Sequence, residues 1–140
     1  MTVKNKFSLS SNETPTGLAI NVKNNRLFSV CQKSKTLVVI DASNGQIMST
    51  LPIGEGVVGV TFDVEKKLIV ASNGGGTATV VHQDAADKYS VVQTIATERR
   101  QRTITHNNNT HKLYMSGATY EADGKTTVAN SFGVYVYGLK

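Results

Sequence analysis

Little in this chain could staple it together. Cys31 is the lone cysteine of 140 residues, which excludes an intrachain disulfide and a multi-cysteine zinc site. Tryptophan is absent, and four Phe and five Tyr are few platforms for stacking the bases of single-stranded nucleic acid. No apolar run approaches the roughly 18 residues that a membrane helix needs. Residues 1–10 (MTVKNKFSLS) hold no apolar stretch of the signal-peptide kind, so the sequence as given is expected to be soluble and without an export signal. Amphipathic helical spacing is missing too, and only two prolines interrupt the chain. What is present is a globular composition, 39% apolar with 12 glycines, at a length that suits one domain. The net charge of +5 favours weak attraction to phosphate or anionic surfaces.

The chain repeats itself. Residues 17–30 (GLAINVKNNRLFSV), 59–70 (GVTFDVEKKLIV) and 103–115 (TITHNNNTHKLYM) share one pattern, with Ile20, Phe62 and Ile104 spaced 42 residues apart. Each unit carries further Val-, Ile- and Thr-rich segments separated by turn residues such as Asn44-Gly45 and Asn73-Gly74, the punctuation of antiparallel strands. First strands are predicted at 17–21, 57–62 and 103–106, and second strands at 26–30, 67–72 and 112–116. Third strands follow at 36–41, 77–82 and 132–138, and fourth strands at 46–52 and 89–95. Four short strands every 40 to 45 residues predict the blades of a β-propeller, each packing its faces on its neighbours. The fold class is therefore all-β, with blades at 14–53, 55–97 and 101–140. The last lacks its outer strand, and residues 1–10 offer an outer strand for a closing blade. Ile20, Val38, Ile40, Phe62, Val80, Ile104, Leu113, Val134 and Val136 are the predicted inter-blade core.

Residues 14–21 (TPTGLAIN) and 38–54 (VVIDASNGQIMSTLPIG) resemble the blade motif of YVTN-repeat β-propellers of the YncE-like family, in its C-terminal three blades. The resemblance implies a longer parent, commonly seven-bladed, that is periplasmic or secreted. Unit three departs from it, with Asn107-Asn108-Asn109 where the family turns at an apolar-Asp-Pro step.

Chemical motifs are sparse. Residues 54–59 (GEGVVG) satisfy the dinucleotide fingerprint, yet β-branched residues follow where a helix would have to open, so a blade-to-blade turn is expected. His82, His106 and His111 sit at strand ends and turns with no carboxylate pair at ligand spacing, and no metal site is assigned. Cys31 reads as a small apolar residue. The concentrated charge lies at 98–102 (ERRQR), in a crossover from the outer rim to the central axis. Glu98, Arg99, Arg100 and Arg102, with Glu13 and Glu55 of the equivalent crossovers and His106, are the candidate ligand-binding residues, because guanidinium forks suit carboxylate or phosphate. The 117–131 loop is expected beside them. Lys23, Arg26, Lys66, Lys67 and Lys112 form a basic set on the opposite face, interrupted by Asp63 and Glu65, with possible weak polyanion or nucleic-acid affinity.

These residues predict a binding or interaction module for a polar or anionic ligand or a protein, without catalytic residue, cofactor or metal. The alternative, by family analogy, is a propeller enzyme of the lactonase or quinoprotein dehydrogenase kind, with chemistry at the channel mouth. Three blades cannot close a ring, so the expected partner is a second copy making a six-bladed ring by strand exchange, or blades lying upstream in a longer chain.

Overall fold

The computed structural model describes residues 1–138; the last two positions of the third unit lie outside the described residues. Eleven strands alternate with turns: β1 (Pro15–Asn21), β2 (Arg26–Cys31), β3 (Thr36–Asp41) and β4 (Ile47–Pro52) form the first sheet. A second sheet contains β5 (Val57–Asp63), β6 (Leu68–Asn73), β7 (Thr77–Ala85) and β8 (Lys88–Ala96). The third has β9 (Ile104–His106), β10 (Leu113–Gly117) and β11 (Gly133–Tyr137). Every pairing is antiparallel between sequence neighbours, as short connections demand. Among the described residues no helix is long and apolar enough to cross a membrane.

Three antiparallel sheets stand where blades are expected; among the described residues the third has no fourth strand, and the outer edge of β11 is unpaired there. Inner strands crowd the axis: a Cβ on Gly17 would come within 3.0 Å of Gly59 Cα, and one on Gly59 within 3.2 Å of Ile104 Cγ2. The sheets pack face to face. Phe28, Val30, Leu37 and Val39 of the first meet Phe62, Ile69 and Val81 of the second, with the Phe28 and Phe62 rings 5.1 Å apart. Val70, Ala78 and Val80 of the second sheet meet Ile104 and Met115 of the third.

Register corrects the sequence alignment in one place. Ile20 pairs with Leu27 and Phe62 with Ile69, but Leu113 pairs with His106, so His106 and not Ile104 occupies the equivalent position in the third blade. The β7–β8 hairpin is longer than β3–β4, which lengthens the repeat between units two and three.

Phe62, Val80 and Ile104 are buried between blades as predicted, and Leu113 is half-buried there; Val38 and Ile40 are also buried, but on the outward face of the first blade beneath Leu9, Leu27 and Ile47 and not between blades. Ile20, Val134 and Val136 are not; they are exposed. The physical reason is position in the arc, because Ile20 lies on the outward face of the first blade and Val134 and Val136 on the outward face of the third. Residues 1–9 form no strand within the single chain. They lie instead against the first blade, Leu9 packing on Cys31, Val38 and Ile40 and Phe7 approaching Gly45.

Candidate functional site

The crossover that follows β8 is held by its middle residue. Gln101 is buried; its carbonyl accepts from Ser72 Oγ at 3.0 Å and its Oε1 from the Tyr137 hydroxyl at 2.8 Å. Backbone bonds continue the fixation, Arg100 N–H donating to Gly74 O and Arg102 N–H to Ser116 O, each at 2.9 Å. With Gln101 pointing inward, the alternating neighbours Arg100 and Arg102 are turned to solvent.

The loop between β10 and β11 lies beside them. It is closed on itself: Tyr120 bridges Thr127, Ser131 Oγ donates to Val128 O at 2.7 Å, and Asp123 accepts from the Lys125 and Thr126 amides at 2.8 Å. Bonds from the Thr126 hydroxyl and those two amides hold the Asp123 carboxyl below the usual range. Arg100 stands over the Tyr120 ring, 5.3 Å from its centroid, within range of a cation–π contact. Two clefts flank Tyr120. One, of about 430 Å³, is lined by Arg100, Arg102, Tyr120, Phe132 and the Ser116–Ala118 segment. The other, of about 310 Å³, is lined by Glu98, Arg99, Glu121 and Gly124. The first combines two guanidinium groups with two aromatic rings; guanidinium forks match the geometry of carboxylate or phosphate oxygens, and the rings offer apolar surface.

The other predicted site residues do not join this cleft. Glu13 pairs with Lys33, and Glu55 with Lys35 at 3.5 Å. His106 ends β9, away from Arg102, which lies two residues before the strand begins, with Nδ1 2.6 Å from Thr61 Oγ1 and Nε2 2.8 Å from Asn108 Oδ1. Residues 54–59 lead into β5, so no helix N-terminus faces the glycines. The Cys31 thiol is buried, and that burial pushes its pKa up, the opposite of an activated nucleophile.

On the opposite face the basic set is partly spent. Arg26 donates to Asp41 Oδ2 at 2.9 Å and to Asp87 through Nε at 2.6 Å and an Nη at 3.1 Å, tying the first blade to the second. His111 Nδ1 lies 2.6 Å from Asp63 Oδ2 and its Nε2 3.4 Å from Glu65, a clasp between the second and third blades. Lys23 and Lys67 edge a separate cleft of about 280 Å³ floored by Asn21 and Gln83. Sequence reasoning missed Gln101, Tyr120, Phe132 and Tyr137. Gln101 stood inside the arginine run without signal, and the other three are brought there by sheet pairing.

No protein-family model matches the chain, and no curated protein sequence matches it. Solved structures do match in shape. Sqt1 of Saccharomyces cerevisiae superposes with a TM-score of 0.68 at 10% identity, covering 78% of this chain and 30% of that one. A putative 6-phosphogluconolactonase from Bacteroides uniformis gives 0.66 at 12% identity, over 90% of this chain and 37% of that one. A luciferin-regenerating enzyme gives 0.61 at 18% identity, over 90% and 45%. The chain thus spans less than half the length of these structures. Together with the three antiparallel sheets, they define it as a β-propeller segment of about three blades.

Proposed function

We propose that this segment is a non-enzymatic binding module whose ligand, a carboxylate- or phosphate-bearing molecule or peptide, seats in the cleft between Arg100, Arg102, Tyr120 and Phe132. One observation carries the reading: a buried Gln101, braced through its backbone carbonyl and its Oε1, presents two solvent-facing guanidinium groups to an aromatic-walled cleft. Membership of the YVTN-repeat, YncE-like propellers belongs to the same reading, supported by the motifs at 14–21 and 38–54 and by the four-strand units. So does the partner, a second copy that completes a six-bladed ring. The same reading assigns weak polyanion affinity to Lys23, Lys66, Lys67 and Lys112, since Arg26 is neutralised by two carboxylates.

The test is fluorescence titration with a labelled acidic peptide containing one phenylalanine, run beside heparin. Arg100→Ala combined with Arg102→Ala should weaken peptide binding at least about tenfold, the loss of one or two charge-assisted hydrogen bonds. Lys66→Ala with Lys67→Ala should leave it nearly unchanged. Equal losses from both pairs, with a steep salt slope, would replace this reading by nonspecific polyanion binding. Turnover of a lactone panel, abolished by Arg102→Ala, would replace it by the enzyme reading.

A further inference from the structure

Positions that are sealed inside the arc recur, still apolar, on its two open faces. Leu37 and Val39 are 0% exposed where the first blade meets the second; their register equivalents in the third blade, Val134 and Val136, are 66% and 55% exposed. On the other end, Val60 and Phe62 are 8% exposed, whereas their equivalents Leu18 and Ile20 are 63% and 50% exposed. Exposed Phe132 extends the first of these patches. Each open face thus keeps the side chains of a blade–blade interface without the blade. Contiguous apolar surface of this kind marks an interaction site.

The N-terminal segment supplies the missing strand position. Leu9 precedes Gly17 by the same interval as Leu51 precedes Gly59, so Leu9 stands where the last apolar residue of a fourth strand stands. It is already seated there, on Cys31, Val38 and Ile40 of its own first blade, with Phe7 alongside. Among the described residues, residues 3–9 have no third strand to pair with, and β11 has no fourth. Val3, Phe7 and Leu9 alternate with Lys4, Lys6 and Ser8, the period of a strand, with polar Asn5 breaking the apolar side once. An open groove of about 590 Å³, walled by Val80 and Ile95 of the second blade and Val136 and Tyr137 of the third, borders the free edge of β11.

We infer that a second copy closes the ring through a defined seam. Residues 3–9 of one protomer remain on their own first blade and add antiparallel to β11 of the other, while Val134 and Val136 pack on Leu18 and Ile20. The register follows from β3–β4, where Leu37 pairs Leu51 and Val39 pairs Ser49. It sets Leu9 opposite Val134 and Phe7 opposite Val136. The two open faces are complementary, the β11 positions matching those that bury Val60 and Phe62 and the β1 positions matching those that Leu37 and Val39 bury, so two seams related by a two-fold axis satisfy both faces at once, which is why a second copy is the fitting occupant. Because Phe132 and Ser116 sit at the edge of that face, the arginine cleft gains its remaining wall from the incoming blade.

This inference rests on the two-copy reading, and the experiment separates them. Sedimentation equilibrium of the full chain should give twice the 15.0 kDa protomer mass. Val134→Asp, at a site exposed in the single chain, should give a folded monomer with an unchanged β-sheet circular dichroism spectrum. Mixing Phe7→Cys protein with Val136→Cys protein should then yield a disulfide-linked dimer absent from either alone. A dimer that resists Val134→Asp or gives no cross-link overturns the seam but not the two-copy reading. A monomer across the concentration series overturns both.

Discussion

At the scale of single residues, the contacts that join blades are ionic at the turns and apolar within. Burial pushes the Asp63 carboxyl up, yet the Lys66 and Glu65 amides and His111 outweigh it and hold it below the usual range. Asp87 is held low first by its bonds from Arg26, against a smaller push from burial. A carboxyl depressed in the folded state stabilises it above the unfolded pKa, about 3.9 for Asp, and that contribution fades as pH falls toward the folded value. Urea midpoints should therefore drop as pH is lowered from about 5 to 3, and Asp63→Asn should flatten that acid limb while leaving the neutral midpoint lower. At the axis, Gly59→Val forces a side chain against Ile104, and about 1–3 kcal/mol of stability should be lost in denaturant titration. Glycine is required there by the close approach of the inner strands.

The elements show which sequence signals carry structure. Val-, Ile- and Thr-rich segments between turn residues placed all eleven strands of the described residues to within a few residues, because β-branched runs without helical spacing favour the strand. β9 is the weak one, three residues long and ended by the polar run after His106. Its true alignment escaped the 42-residue count because extra residues in the β7–β8 hairpin shift everything after it, and only hydrogen-bond register reveals such a shift. Packing between the first two sheets is the firmest part of the fold. Phe62→Ala should cost about 3–5 kcal/mol by chemical denaturation, since it opens a cavity beside Phe28 that neighbouring strands cannot fill. Ile20→Ala should cost the isolated chain far less, its side chain being half in water.

For the whole molecule, the governing fact is an arc of sheets with two open faces. If a second copy covers them, folding and association are linked, and the melting temperature should rise with protein concentration. Differential scanning fluorimetry over a hundredfold concentration series checks this; Val134→Asp should abolish the trend. Ligand occupancy should raise the melting temperature as well, through Arg100 and Arg102, and that increment should shrink with added salt because both groups are exposed.

The amino-acid sequence by itself determined the all-β class, the blade repeat, the charged crossover and its placement beside the 117–131 loop. Each of these depends on local alternation, turn chemistry and topology that a repeat imposes. Tertiary structure decided the rest. It set Tyr120 and Phe132 beside the arginines, turned Gln101 inward to brace them, and carried His106 to the other end of β9. It also spent Arg26 on Asp41 and Asp87, and left Ile20, Val134 and Val136 in solvent. Hydrophobicity tells which side chains can be buried; whether a blade stands opposite to bury them is a property of the assembled arc, which local residue patterns do not encode.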